Sequence, residues 1–330
     1  MWWILGFIVL LIKLAVVLVF LLGFAANMVL VERKLLGRLQ IRYGPNRVGP
    51  FGLLQPVADG LKLLLKEDIV PRGADRIIFL LAPAVVAMVP LVIAAVVPFS
   101  SDLTIGDTRI PMVITDLNIG ALFVLAITSI SVYGVALGGW ASNSKYSLLG
   151  AIRGAAQLIS YELALGLSLI PVIMLAGSFS LVDIVNAQAR YPFIIVQPVS
   201  FLIFLAASMA ESNRLPFDLP EAENELVAGF HAEYSGMRFA LYFLGEYLSM
   251  IVLGALVAVF FLGGWRGPVL PPFIWFLIKM FIIPIFFIWT RGTLPRVRYD
   301  QLMQIGWKFL LPLSLVNIIV TGAVALAVRS

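Results

Sequence analysis

Long apolar runs recur along this chain, with short polar segments between them. The first run extends from Trp2 to Val31 and is interrupted only by Lys13 and Asn27. A secretory signal has an apolar core of about 7–15 residues, so this longer run predicts a retained membrane-spanning helix. Seven further runs approach the length of about 20 residues that a spanning helix needs: Ile77–Val97, Leu117–Leu137, Gln157–Ala176, Pro198–Ser212, Phe239–Leu262, Phe273–Thr290 and Phe309–Val328.

These runs predict an all-α integral membrane protein with about eight transmembrane helices. The fifth predicted span has an alternative start near Phe193. We treat residues 1–330 as a single membrane domain, with a first polar loop at residues 32–76 and an acidic loop at residues 211–238.

The first polar loop contains a short amphipathic segment. Between Leu53 and Lys66 the apolar side chains recur at helical spacing, and the polar side chains fall on the opposite side. At about 14 residues the segment is too short to cross a bilayer. We expect an interfacial helix over residues 53–66, preceded by a turn-rich segment at Gly44–Pro50.

Basic residues are distributed unequally between alternate loops. The segments after spans one, three, five and seven hold 17 of the 23 Lys and Arg residues, whereas the other loops and the C-terminal tail hold 4. Since basic residues are enriched in cytoplasmic loops, this pattern predicts that the odd-numbered loops face the cytoplasm and that both termini lie outside.

The composition excludes several kinds of chemistry. Apolar residues make up 61% of the chain and charged residues 12%, which is about half the charge of a soluble globular protein. The chain has no cysteine and one histidine, and it contains neither a phosphate-binding loop nor a dinucleotide-binding glycine motif. We therefore expect no redox centre and no hydrolytic site within this chain.

A few ionisable residues lie within or at the ends of the predicted spans, where burying a charge costs at least a few kcal/mol. Such residues often line proton or ion routes. For Lys13 a side chain that reaches the interface is an equal alternative, and for Glu162 the adjacent polar residues favour a functional role. The residues concerned are Lys13, Glu162, Glu211, Glu246 and Lys279.

An acidic stretch at Glu211–Glu233 stands out on the side of the membrane where the other loops are basic. It holds six carboxylates and only one basic residue, Arg214, together with many apolar residues. Glu221 and Glu225 are spaced to share a helical face, a placement that is unfavourable in water. A solvated acidic helix is the simplest explanation; carboxylates that are protonated, hydrated in a cavity or facing a basic partner are the alternative. His231 has no nucleophile that would make it a catalytic base.

Four ordered segments resemble one known family. ERKLLGRLQIRYGPNRVGPFGLLQPVADGLKLLLKE, SLLGAIRGAAQLISYE, ESNRLPFDLPEAENELVAGFHAEYSGMRFALYFLGEY and RGTLPRVRYDQLMQIGWKFLLP are similar to segments of the quinone-interacting membrane subunit, known as the H-type or type 1 subunit, of NADH:quinone oxidoreductase, respiratory complex I. The resemblance covers essentially the whole chain.

The resemblance implies a non-redox subunit of a proton-translocating enzyme. Such a subunit forms much of the tunnel by which quinone, the substrate, leaves the membrane lipid, while flavin and iron–sulfur clusters lie on hydrophilic partner subunits and antiporter-like subunits lie in the membrane. Matching positions give tunnel candidates at Arg33, Lys34, Arg42, Arg47, Asp59, Phe217, Asp218 and Phe230. They give proton-coupling candidates at Tyr161, Glu162, Glu211, Glu221, Glu223, Glu225 and Glu246.

Other interpretations remain open at this stage. The nearest is the homologous membrane subunit of a membrane-bound hydrogenase or an F420H2 dehydrogenase. An independent secondary transporter and a purely structural membrane anchor belong to different classes. The carboxylates could pass an electrostatic signal or protons themselves, and the absence of a transit peptide favours a bacterial inner membrane.

Overall fold

The apolar runs fold into helices, and a computed structural model describes residues 2–105, 108–221 and 223–329, with side chains for 6–103, 110–221 and 225–327. The helices are α1 (Trp2–Leu39), α2 (Gln55–Leu65), α3 (Arg76–Ala94), α4 (Gly120–Ala141), α5 (Lys145–Ala176), α6 (Leu181–Ala187), α7 (Phe193–Val196), α8 (Pro198–Glu211), α9 (Glu223–Leu226), α10 (Gly236–Phe261), α11 (Pro272–Thr293), α12 (Tyr299–Gln304) and α13 (Leu311–Arg329). Two short strands, β1 (Leu103–Ile105) and β2 (Thr108–Ile110), pair antiparallel between α3 and α4.

Within these described residues, seven helices are long and apolar enough to cross a membrane, and they confirm a multi-span, nearly all-helical protein. The fifth predicted span differs from the others. It is the 14-residue helix α8, preceded by the separate helix α7, which begins at Phe193. Pro198 follows Gln197 directly and cannot donate a backbone hydrogen bond, so the helix is interrupted there. Among the described residues, seven helices therefore have full spanning length, and the fifth predicted span is the shorter α8 with α7 before it.

Several helix boundaries follow from local chemistry. Asp75 caps α3 by accepting hydrogen bonds from the backbone N–H groups of Ile77 and Ile78. Gly177 ends α5 in the left-handed conformation. Proline residues inside α3, α5 and α11 are accommodated without ending these helices, as expected for a bundle in which neighbours compensate for lost hydrogen bonds.

Helix α10 lies at the centre of the bundle. It packs against α1, α3 and α11, and every residue from Met250 to Phe261 is buried. Neighbouring helices rather than lipid therefore cover this half of α10. Helix α5 organises the other half of the bundle by packing against α4, α8 and α13.

Two lysines within spanning helices donate hydrogen bonds to backbone carbonyls. The Nζ of Lys279 on α11 donates to the carbonyls of Leu262, Gly264 and Arg266, just beyond the end of α10, at 2.6, 3.0 and 2.6 Å. The Nζ of Lys13 on α1 donates to the Pro111 carbonyl at 2.6 Å. Both lysines thus satisfy carbonyls at loop segments, and this accounts for their presence without an ion route.

Candidate functional site

A buried group of charged side chains joins α1, α10 and α11 to the loop after α8. Glu32 near the end of α1 is 4% exposed, and Arg214 in that loop is 2% exposed. The Nη1 of Arg214 donates to both carboxylate oxygens of Glu32, at 3.0 and 2.9 Å. Arg291 and the hydroxyl of Tyr247, the latter at 2.7 Å, also donate to Glu32. The carboxylate is therefore fully compensated, which a buried charge requires.

The same arginine connects this group to a second carboxylate. The Nε of Arg214 lies 2.5 Å from Glu246 on α10, and its guanidinium lies over the ring of Tyr247, 4.5 Å from the centroid. Burial lowers the pKa of Arg214, but the charges of Glu246 and Glu32 raise it by more, so the guanidinium remains charged. We call these five residues, Glu32, Arg214, Glu246, Tyr247 and Arg291, the Glu32 cluster.

A cavity of about 60 Å³ lies beside the Glu32 cluster. Its carboxylates come from three separate elements: Glu211 from the end of α8, Glu221 from the following loop and Glu246 from α10. His231 and Phe230 also line it, and its remaining wall is largely apolar. We call this space the carboxylate cavity. It brings together three of the proton-coupling candidates, although they are distant in sequence.

Helix α4 supplies hydroxyl groups to two of the buried carboxylates. The Oγ of Ser131 donates to Glu211 at 3.1 Å, and the Oγ of Ser129 donates to Glu162 on α5. Glu162 is close enough to Glu211 for the two to interact electrostatically. Glu162 therefore extends the series of carboxylates from the carboxylate cavity toward α5.

The loop after α8 holds two carboxylates that interact electrostatically, Asp218 and Glu221. Asp218 is 8% exposed, and Arg296 donates to it at 3.2 Å. Burial raises the pKa of Asp218 to about 6, the charge of Glu221 acts in the same direction, and Arg296 opposes both. Burial also disfavours the charge on Glu221, yet His231, Arg214 and Arg291 hold the pKa of Glu221 below its ordinary value. Burial and the charge of Glu221 therefore favour the protonated form of Asp218, whereas the basic neighbours of Glu221 favour its charged form.

Two features fix the loop in place. Gln157 on α5 is fully buried, and its Nε2 donates to the carbonyls of Ala210 and Phe217 at 2.8 and 2.7 Å. Gly229 has a φ of +58° and passes so close to Gly150 on α5 that a Cβ on Gly150 would lie 2.8 Å from its Cα. These contacts hold the loop carboxylates against the bundle.

The expectation that Glu221 and Glu225 share a helical face is wrong. Helix α9 begins only at Glu223, and Glu221 precedes it in a turn. Glu225 is 54% exposed and pairs with Arg153 at 2.6 Å, away from the carboxylate cavity. The side chain of Glu223 lies outside the described residues. Because Pro220 disfavours helical backbone at the residue before it, the chain enters Glu221 from a turn rather than from a longer acidic helix.

Tyr161 points away from its neighbour in sequence, Glu162. Its buried hydroxyl donates to the carbonyl of Leu302 at 3.0 Å, and its ring packs against Phe217 with the centroids 5.5 Å apart. Successive residues on a helix face different directions, so Tyr161 and Glu162 lie in two different environments. Of the aromatic tunnel candidates, Phe230 lines the carboxylate cavity and Phe217 packs outside it.

An open groove of about 430 Å³ separates α1, α2 and α10. Arg33 and Asp59 face each other across its rim, paired at 2.8 Å. Most of the other lining side chains are apolar, and Tyr247 of the Glu32 cluster also lines it. We call this space the lateral groove. It reaches from the surface of the bundle to the buried charges.

The other basic tunnel candidates lie on a separate surface. Lys34 and Arg42 line a pocket of about 570 Å³ beside the loop after α1. The Nζ of Lys34 donates to the Phe51 carbonyl at 2.5 Å, and Arg42 contacts Gln40 at 2.8 Å. Arg47 is exposed and does not line this pocket. The eight tunnel candidates therefore do not form one continuous wall within this chain.

Sequence reasoning missed Glu32 and most of the basic partners. Glu32, Arg291, Arg296 and His231 all contact predicted residues or the Glu32 cluster, yet none was a candidate. One signal was present: Arg214 is the single basic residue in the acidic stretch, which indicates a specific partner for a carboxylate.

Comparison with known proteins gives a consistent result. The family model described as NADH dehydrogenase matches residues 12–322. The chain is 65% identical over 321 residues to the NADH-quinone oxidoreductase H-type subunit (number 2) of Syntrophobacter fumaroxidans, covering 97% of both chains. It is 61% identical to the protein of the same name from Geobacter sulfurreducens, with 96% of both chains covered. It is 54% identical to the NADH-quinone oxidoreductase H-type subunit of Thermomicrobium roseum, with 93% of both chains covered.

Proposed function

The chain belongs to the NADH dehydrogenase family, as the H-type membrane subunit of NADH-quinone oxidoreductase (complex I), and on this premise we propose that it guides quinone and couples its reduction to proton translocation. In this proposal the chain holds no redox centre. Quinone is the substrate, and flavin and iron–sulfur clusters belong to hydrophilic partner subunits.

The lateral groove is the proposed access route for quinone. A long-tailed isoprenoid quinone needs an apolar passage with a few polar groups toward its inner end. The groove offers apolar walls from α1, α2 and α10, the Arg33–Asp59 pair at its rim and the ring of Tyr247. Helix α2 presents Val57, Leu61 and Leu65 on its exposed surface, which suits a helix lying at the lipid boundary.

The carboxylate cavity is the proposed coupling element, and it is the observation that carries the proposal. Reduction of quinone to quinol takes up two protons and changes the local charge. Because Glu221 interacts electrostatically with both Asp218 and Glu246, such a change redistributes protons among them. Glu211 and Glu162 extend the series toward the interior of the membrane, where the antiporter-like subunits are the proposed recipients.

We place the protein in the cytoplasmic (inner) membrane of a bacterium. With α7 and α8 together counted as the fifth crossing, the basic loops support an arrangement in which the loops after α1 and α11 face the cytoplasm and both termini lie on the outer side. The hydrophilic partner subunits would then dock on the face that carries α2, Lys34 and Arg42.

The test replaces Glu221 and Glu246 singly by Gln in the intact complex, in native membranes. Each substitution keeps the size of the side chain and removes its proton, so we expect NADH:quinone turnover and proton pumping to fall by about tenfold or more. NADH oxidation by a water-soluble acceptor reports on assembly and should stay unchanged. Glu233→Gln is the matched control, because Glu233 is exposed in the same loop. Normal turnover and pumping in both cavity variants would refute the coupling role.

A further inference from the structure

His231 is the one histidine of the chain, and it occupies the wall of the carboxylate cavity. It ends the short turn Gly229–His231, which packs against α4 and α5. Its Nε2 lies 3.3 Å from Oε1 of Glu221. The coupling role described above accounts for the carboxylates and leaves this imidazole without a function.

The imidazole ring is held in a fixed orientation. The rings of Phe230 and Phe239 meet it edge to face, with centroids 4.9 and 5.4 Å away and interplanar angles of 72° and 80°. The two ring nitrogens therefore face different surroundings. One contacts Glu221; the other, Nδ1, is buried and has no hydrogen-bond partner within the described part of the chain. A buried polar atom without a partner is costly, so Nδ1 requires an exchangeable partner.

The carboxylate cavity provides room for that partner. A cavity volume of about 10–15 Å³ is enough to hold one water molecule. The 60 Å³ of the cavity therefore accommodates several, and Glu211 and Glu246 line the same space as His231. Water there would connect these carboxyl groups to the imidazole through short hydrogen bonds.

We propose that His231 transfers protons between Glu221 and the pair Glu211 and Glu246 across the carboxylate cavity. This proposal rests on the proposed coupling function and assigns it a further proton-transfer residue. Imidazole suits the task because either nitrogen can accept or donate a proton.

The transfer balances without another reactant. A proton from the carboxyl group of Glu246 or Glu211 reaches Nδ1 through water, which leaves a carboxylate behind and forms an imidazolium. The Nε2 proton then passes to Oε1 of Glu221, so the ring is neutral again, with its proton on Nδ1. The reverse transfer restores the first tautomer, and the step therefore operates in both directions.

The alternative is that His231 only holds Glu221 in position as a hydrogen-bond donor. His231→Gln separates the two roles, since an amide N–H can donate to Glu221 but cannot relay a proton. In the assembled complex we expect this variant to lower NADH:quinone turnover and pumping by about tenfold or more, while oxidation of NADH by a water-soluble acceptor is unchanged. Glu233→Gln, two residues away and exposed, should retain full turnover.

Chemical rescue gives a second measurement. His231→Ala opens space beside the cavity, so added imidazole should restore a measurable part of its turnover and should leave Glu233→Gln unaffected. Full turnover and pumping in His231→Gln, or an Ala variant that imidazole does not rescue, would overturn the relay. If His231→Gln is normal while Glu221→Gln and Glu246→Gln are impaired, the relay fails and the coupling function stands. If the carboxylate variants are normal as well, the coupling function itself fails.

Discussion

Arg214 is the residue on which the buried charges depend. Its guanidinium contacts both Glu32 and Glu246, and thereby links the lateral groove, which is lined by Tyr247, to the carboxylate cavity, which is lined by Glu246. Removing one member of a buried ion pair costs about 3–5 kcal/mol because the remaining charge is uncompensated. This arginine therefore connects the lateral groove electrostatically to the carboxylate cavity.

Asp218 should make the stability of the folded protein depend on pH in the mildly acidic range. Since burial raises its pKa to about 6, the folded protein holds this proton to a higher pH than the unfolded chain does. The contribution of Asp218 to stability is therefore largest at low pH and falls as the pH rises from about 4 toward 6, with no further change at higher pH.

Arg296 sets the position of this transition. Because its charge lowers the pKa of Asp218, Arg296→Gln should move the associated transition in the pH profile of NADH:quinone turnover to higher pH. Asp218→Asn should abolish the same transition. The profiles are measured in native membranes, with Arg298→Gln as a control on an exposed arginine two residues away. A transition that stays in place in Arg296→Gln would contradict the assignment to Asp218.

At the scale of elements, the side chain of Lys279 joins α11 to the end of α10. Its ammonium group donates to three carbonyls beyond that end, and its contacts to Leu262 and Gly264 are partly buried. Lys279→Met keeps the apolar stem but leaves the carbonyls unpaired, at a cost of about 1–3 kcal/mol for each buried group. We expect a lower midpoint of thermal unfolding for the purified complex.

The control for this change is Lys308→Met, at an exposed position of the π-helical turn Ile305–Leu310 that joins α12 to α13. It removes the same charge without breaking a contact to α10. Equal unfolding midpoints for Lys279→Met and the parent complex would show that the three hydrogen bonds contribute nothing to stability.

The lateral groove is a property of the whole molecule, because it exists only where α1, α2 and α10 meet. Ala26→Trp on α1 places a large side chain in this groove. Ala15→Trp makes the same change on an exposed position of the same helix. If quinone enters here, Ala26→Trp should raise the KM for a long-tailed quinone several-fold and change the KM for a short-tailed analogue much less.

The comparison of tail lengths excludes a general loss of folding. A structural defect would affect both quinones, and Ala15→Trp reports the effect of tryptophan on α1 outside the groove. Equal KM values for the long-tailed quinone in Ala26→Trp and Ala15→Trp would place its access route elsewhere.

Hydrophobic periodicity was sufficient to predict the membrane class, the amphipathic helix and most spans. The interruption at Gln197 was harder to predict. Whether a proline breaks a helix depends on whether neighbouring helices satisfy the freed backbone groups, and an apolar run does not show which helices are neighbours. In the same way, α5 begins twelve residues before its predicted start at Gln157, since the segment from Lys145 is helical although it is partly polar.

The site shows the same division between local and long-range information. The sequence identified buried carboxylates as the unusual residues, because a charge within a membrane span is costly wherever the chain folds. Their partners come from distant segments: Glu32 meets Arg214 and Arg291, and Glu221 meets His231. A pairing across 182 residues depends on how helices pack, and no local pattern encodes it. Composition and periodicity therefore determine that this is a helical membrane protein and which of its charged residues are unusual. Helix packing determines which of these charges share a cavity.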